Sequence, residues 1–75
     1  MKSYVRFEVD RELPKTKVYA IISRSSDDGL GWIKWYPPWR QYCFEPHSDT
    51  VWAKNCLIEI NNFIEELMNE RRRTT

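Results

Sequence analysis

Glycine, cysteine and histidine are scarce in this sequence. Its two glycines, Gly29 and Gly31, are too few for a glycine-rich loop that cradles phosphates. Its two cysteines, Cys43 and Cys56, are fewer than a small secreted disulfide scaffold usually carries, so we expect reduced thiols in a cytoplasmic protein. These absences argue against a nucleotide-phosphate site and against a disulfide-stabilised domain.

Long apolar runs and an excess of one charge are also missing. No run approaches the roughly 18 apolar residues of a membrane helix, and residues 1–6 lack the apolar stretch of a signal peptide. We therefore expect no membrane contact and a location in the cytoplasm. Twelve Lys and Arg balance eleven Asp and Glu, for a net charge of +1, whereas general polyanion-binding proteins are normally more basic.

The chain is short, and its length limits what it can contain. With 75 residues, it buries only about 60% of its unfolded surface on folding. We expect one domain, spanning residues 1–75, without a buried cofactor or a large active site. A composition of 41% hydrophobic and 31% charged residues indicates a globular rather than a disordered chain.

Hydrophobic patterning predicts four strands. Apolar Val5, Phe7 and Val9 alternate with polar residues, as in a half-buried strand. A nearly continuous apolar run over residues 18–22 favours a central strand. Pro37 and Pro38 cannot donate ladder hydrogen bonds, so they belong to a connection. The predicted strands are residues 3–9, 16–24, 30–36 and 39–45, and residues 49–52 fit either a short fifth strand or the entry to a helix.

The C-terminal part has the pattern of an amphipathic helix over residues 54–72. Its apolar residues recur at spacings of three and four: Cys56 or Leu57, Ile60, Phe63 or Ile64, and Leu67. Asn55 is a candidate N-cap. Because the strand connections are too short for helical crossovers, the strands form an antiparallel meander. The helix then packs on one sheet face, giving a two-layer α+β domain.

Aromatic residues are concentrated in one segment. Six of the eleven lie between Trp32 and Phe44, together with two cations and no acid. Exposed rings and nearby cations are typical of binding surfaces, although rings also fill the cores of small sheets. Since one helix covers only one face, some rings must lie on the other. The predicted binding residues are Trp32, Lys34, Tyr36, Arg40 and Tyr42, with a second basic site at Arg71, Arg72 and Arg73.

Metal binding and catalysis have weaker support. Cys43, His47 and Cys56 are potential ligands, but no CxxC or HxxxH spacing brings them together, and structural zinc usually takes four ligands. Cys43 with His47, oriented by Asp49, is a conceivable nucleophilic pair, yet His47 follows Pro46 in a predicted loop. We therefore expect no metal, no cofactor and no catalytic residues.

The segment from Ile33 to Pro46 resembles a motif in small uncharacterised proteins of tailed bacteriophages and other mobile elements. In these proteins, a Lys-Trp-aromatic segment leads into Trp-Arg-x-Tyr-x-Phe, then a proline and a helix like that predicted here. The resemblance covers roughly residues 30–72. It implies a phage or prophage context inside a bacterial cell, and it implies no activity or ligand.

These observations favour a non-enzymatic accessory protein that binds a macromolecule through an aromatic sheet face. Host protein and nucleic acid are both candidate partners, and the balanced charge slightly favours protein, since phosphate binding needs many cations. The alternative is a structural or assembly protein that forms a homodimer through the same face, because exposed apolar patches also mark self-association.

Overall fold

The computed structural model describes residues 3–73. The strands form one antiparallel sheet in the order β1-β2-β3-β4, and the helix packs over one face of it. The predicted α+β meander with a C-terminal helix is confirmed. In chain order the elements are β1 (Val5–Glu12), β2 (Lys17–Ser23), β3 (Gly29–Tyr36), a 3-10 turn (Pro37–Trp39), β4 (Gln41–Pro46) and α1 (Lys54–Arg73).

The hydrophobic core lies between α1 and one face of the sheet, which we call the covered face. Ile21 and Ile33 are fully buried there beneath Ile60 of the helix. Phe7 stacks on Phe63 with ring centroids 4.1 Å apart, so β1 is joined to the helix. The covered face comprises the alternate residues Val5, Phe7, Tyr19, Ile21, Ile33, Trp35, Tyr42 and Phe44.

The helix presents the predicted stripe to the sheet, and the structure selects between the alternatives that the spacing allowed. Ile60 and Leu67 are buried, and Cys56 and Phe63 pack beside them, one turn apart along a single side. Leu57 is 44% exposed, so the alternative that placed Leu57 in the stripe is wrong. The spacing allowed either Cys56 or Leu57, and the position of the sheet selects Cys56.

Several boundaries differ from the sequence pattern. β1 continues to Glu12 through an irregularity between Val9 and Arg11, as a bulge permits. Trp39 lies in the 3-10 turn and Arg40 closes that turn with a φ of 52°, so β4 begins at Gln41.

The segment before the helix also differs. Residues 49–52 contain no strand. The helix starts at Lys54, so Asn55 lies in the first turn and does not cap it; the Leu57 amide donates to the Ala53 carbonyl 3.1 Å away.

Gly31 lies at a point of β3 where β4 leaves no room for a side chain. A Cβ at this position would lie 2.5 Å from the backbone oxygen of Glu45 and 3.2 Å from the Phe44 ring. Any side chain would therefore push the two strands apart.

The helical part of the described chain has no membrane-spanning character. Although α1 is 20 residues long, no helix within residues 3–73 is apolar enough to cross a membrane.

Candidate functional site

The second face of the sheet lies opposite the helix, and we call it the open face. It carries the residues that alternate with those of the covered face, so its composition follows directly from the strand register. No helix within residues 3–73 packs over it. The open face comprises Arg6, Glu8, Arg11, Val18, Ala20, Ile22, Trp32, Lys34, Tyr36, Cys43 and Glu45, together with Asp10, the unpaired residue of the bulge in β1.

Trp32 lies near the centre of the open face. Its backbone pairs with Ala20 on one side and Glu45 on the other. The imidazole of His47 packs against the indole, with ring centroids 4.0 Å apart and planes tilted by 48°. The indole is half-buried by these neighbours. The contact with His47 therefore restricts the position of the indole.

Charged side chains of both signs surround this centre. Lys34 Nζ lies 3.3 Å from Glu45 Oε1, and Arg6 Nε donates to Glu8 Oε2 at 2.7 Å. Arg6 also donates to Asp27 at 2.5 Å. The hydrogen bonds to Glu8 and Asp27 raise the pKa of Arg6. Two cations of the open face are thus already neutralised within the chain.

A shallow depression of about 250 Å³ lies on the same face. Acidic and basic side chains line it on both sides of the indole. Its volume is below the ~300–1,000 Å³ of typical small-molecule sites. The lining residues are Asp10, Arg11, Val18, Trp32, Lys34 and Glu45.

The structure brings together only some of the predicted binding residues. Trp32 and Lys34 lie on the open face. Tyr36 is at its end, where its ring packs edge-on against Trp39 at 5.1 Å. Arg40 lies in the turn rather than on a strand. These positions leave Trp32 as the only predicted aromatic residue near the middle of the face.

Tyr42 lies on the opposite side of the sheet. It pairs with Trp35 across the strands, its ring meets the Trp35 ring edge-on at 5.4 Å, and it is 8% exposed. Tyr42 is therefore a core residue and does not share a face with Trp32. The residues that occupy its expected place are Cys43 and Glu45.

The error arises at the turn between β3 and β4. Tyr36 pairs with Gln41, which leaves four residues in the connection. A connection of three residues would pair Tyr36 with Arg40 and move Tyr42 to the open face, because a one-residue shift reverses every side chain. Alternation within β4 places Tyr42 and Cys43 on opposite faces of the sheet. It does not indicate which of the two residues faces the helix.

The second predicted basic site is partly structural. The Arg71 guanidinium lies over the Trp35 ring, 4.0 Å from its centroid, as a cation–π contact. Arg71 also donates to the Lys15 carbonyl at 3.4 Å. Arg71 therefore closes the end of the core beside a cleft of about 440 Å³ lined by Tyr19, Tyr42 and residues of the β1–β2 turn.

The two thiols lie on different sides of the sheet. Cys43 is on the open face, paired with Lys34, whereas Cys56 packs against the core; both are free. Burial, and secondarily the Glu45 charge, raises the pKa of Cys43, which lowers its reactivity as a nucleophile. Within residues 3–73, no three His, Cys, Asp or Glu side chains form a metal-binding group.

Comparison with known proteins identifies a phage relative. The chain is 38% identical over 71 residues to an uncharacterised 9.3 kDa protein of Acholeplasma phage L2, and the match covers 92% of this chain and 90% of that protein. No family model and no solved structure matches the chain. The relationship to a small uncharacterised phage protein is confirmed, and the specific motif from Ile33 to Pro46 stays a prediction.

Proposed function

This chain belongs to the family of the uncharacterised 9.3 kDa protein of Acholeplasma phage L2, and we propose that it is a non-enzymatic phage accessory protein that binds another protein through its open face. The proposal places this activity in the cytoplasm of the host cell. The observation that carries it is the position of Trp32, a fixed indole near the centre of a sheet face opposite the helix.

The composition of the open face is that of a protein interface. Its middle is apolar, with Val18, Ala20, Ile22 and Trp32, and its border is charged. Stable protein interfaces have this arrangement of an apolar centre and a polar rim. Tryptophan is among the residues that most often dominate binding energy at the centre of such interfaces.

Protein is favoured over nucleic acid because of the way the charges are paired. Lys34 is neutralised by Glu45, and Arg6 by Glu8 and Asp27. A surface that binds nucleic acid gains affinity by replacing counterions with free Lys and Arg side chains. Acids close to each of these cations would repel phosphates, whereas a partner of mixed charge can match both signs.

The test is a capture experiment with two matched tryptophan variants. Tagged wild type, Trp32→Ala and Trp39→Ala are each co-expressed with an untagged wild-type copy in bacteria, and captured proteins are identified with and without nuclease treatment. We expect a nuclease-resistant protein on the wild type and on Trp39→Ala, whose indole lies in the turn. Trp32→Ala should lose it while keeping its melting temperature within a few degrees.

Two results would contradict the proposal. If the captured material disappears with nuclease, the partner is nucleic acid. If Trp32→Ala retains all partners and Trp39→Ala loses them, the binding surface is the turn rather than the open face.

A further inference from the structure

We infer that the protein on the open face is a second copy of this chain, bound face to face in a symmetric dimer. The inference rests on the proposed function, in which that face binds protein. It adds the identity of the partner, and the argument for it is the distribution of charge across the strands. A dimer of identical faces needs a surface that is complementary to itself.

One row of residues across the open face is acidic at both ends. Glu8 of β1 pairs with Ala20 of β2, Ala20 pairs with Trp32 of β3, and Trp32 pairs with Glu45 of β4. The four residues Glu8, Ala20, Trp32 and Glu45 are therefore level with one another. We call them the acidic row.

The next row on the same face is basic. Arg11 pairs with Val18, and Lys34 pairs with Cys43. Since Tyr19 pairs with Ile33, the preceding Val18 is level with Lys34. The resulting basic row, Arg11, Val18, Lys34 and Cys43, runs beside the acidic row, and residues of both rows line the shallow depression.

Two adjacent rows of opposite sign make the face complementary to itself. A two-fold axis that runs between the rows and parallel to them places each acidic row on the basic row of the other copy. Glu8 then faces Arg11 of the second copy, and Trp32 faces Lys34 of the second copy, a cation–π pairing. Ala20 meets Val18 in the apolar centre. Each contact occurs twice by symmetry.

The geometry of packed sheets is compatible with this arrangement. Aligned sheets cross at about 30° because of their twist, which displaces strands at the border by roughly one residue. The Arg11 and Glu8 side chains are exposed and long enough to span that displacement. The twist therefore preserves the pairing of the rows.

The open face is also of suitable size. The molecule measures 36 × 26 × 19 Å, so its broadest projection, taken as an ellipse, covers about 700 Å². One face of the sheet can cover no more than this area, which is close to the ~800 Å² that each partner contributes to a standard interface. A dimer of this size should form reversibly and dissociate on dilution.

Charge reversal at the Glu8–Arg11 contact tests the dimer. Glu8→Arg and Arg11→Glu each place like charges across the interface, so we expect each variant alone to dimerise at least tenfold more weakly than wild type in sedimentation equilibrium. The equimolar mixture should recover dimers, because one copy then offers two arginines and the other two glutamates. The double variant should recover them as well.

A control variant separates this effect from a change in β1 itself. Glu12→Arg reverses an acid on the same strand, next to Arg11 and therefore pointing to the other side of the sheet, where it lies 3.7 Å from Lys17. This variant should dimerise like wild type. We expect all variants to be folded, because the substituted positions are exposed. Their melting temperatures check this expectation.

Several outcomes would overturn the inference. A wild type that stays monomeric at several hundred micromolar excludes the dimer. Single variants that remain fully dimeric, or a mixture that does not recover dimers, would exclude this arrangement. If the wild type is monomeric yet captures a different protein in a Trp32-dependent manner, the inference fails while the proposed function stands. If the captured material is nuclease-sensitive, both fail.

Discussion

The two faces of the sheet are built from neighbouring residues of the same strands, yet they have different physical roles. Ile33 is fully buried under the helix, whereas Trp32 and Lys34 on either side of it point to the open face. The covered face is apolar and joined to α1. The open face mixes an indole with paired charges. Within residues 3–73, none of the residues assigned to the open face belongs to the core cluster.

The distribution of aromatic rings follows the same division. Within the aromatic segment, Trp35, Tyr42 and Phe44 pack against the core, while Trp32, Tyr36 and Trp39 lie outside it. Five rings form a continuous series of contacts from β1 to β3 by way of the helix, namely Phe7, Phe63, Tyr19, Tyr42 and Trp35. Phe44 forms a separate pair with Trp52. About half of the aromatic residues in this segment therefore belong to the core.

The largest expected effect comes from breaking the covered face at Ile60, which is 3% exposed. Ile60→Ala removes buried methyl groups and leaves a cavity, at a cost of about 2–5 kcal/mol. At roughly 4–8 °C per kcal/mol for a domain of this size, the melting temperature should fall by at least about 8 °C in calorimetry.

Ile58→Ala is the matched control on the same helix. Ile58 is 46% exposed, and surface substitutions usually change stability by less than about 0.5 kcal/mol. Equal losses for Ile58→Ala and Ile60→Ala would contradict the orientation of α1 described here.

A smaller effect on stability is expected at Gly31 of β3, where an added side chain would displace β4. The added Cβ of Gly31→Ala would lie 2.5 Å from the Glu45 oxygen, so β4 must move. Overpacking of this kind costs about 1–3 kcal/mol. Because Glu45 belongs to the acidic row, the variant should also weaken self-association in sedimentation.

Gly29→Ala is the matched control, because the only atom near its added Cβ would be His47 Nε2, at the ordinary contact distance of 3.6 Å. It should leave both stability and association near wild type. A Gly31→Ala protein as stable as Gly29→Ala would show that the strands tolerate separation.

The smallest effect concerns Tyr19, at the end of the covered face. Burial, followed by the charges of Tyr42, Glu70 and Glu12, raises the pKa of Tyr19 above 10.0. The unfolded chain therefore releases this proton at lower pH than the folded chain. The stabilisation is fully present below pH 10 and is lost as the pH rises through the folded pKa.

Thermal unfolding at pH 9 and pH 11 measures this dependence. Wild type should lose more stability over that interval than Tyr19→Phe, which has no phenol to titrate. If both proteins lose the same amount, the Tyr19 hydroxyl is solvated and its surroundings differ from those described here.

Much of the fold follows from local patterns in the sequence. Alternation in Val5, Phe7 and Val9 and the helical spacing of Ile60 and Leu67 predicted the strands and the helix, because period two and period 3.6 reflect backbone geometry alone. Short connections predicted the antiparallel meander. The alternation within β3 also predicted that Trp32 and Lys34 share one face of the sheet and that Ile33 lies on the other.

The sequence alone therefore determined the elements, their order and the separation of residues within each strand. Only the tertiary structure decided which face of β4 meets the helix. As a result, Lys34 pairs with Cys43 rather than with Tyr42. The tertiary structure also decided that Arg11, which follows the bulge in β1, is level with Lys34. Periodicity is a local property of one strand, whereas register depends on the number of residues in a turn or bulge. One residue more or less reverses a whole face.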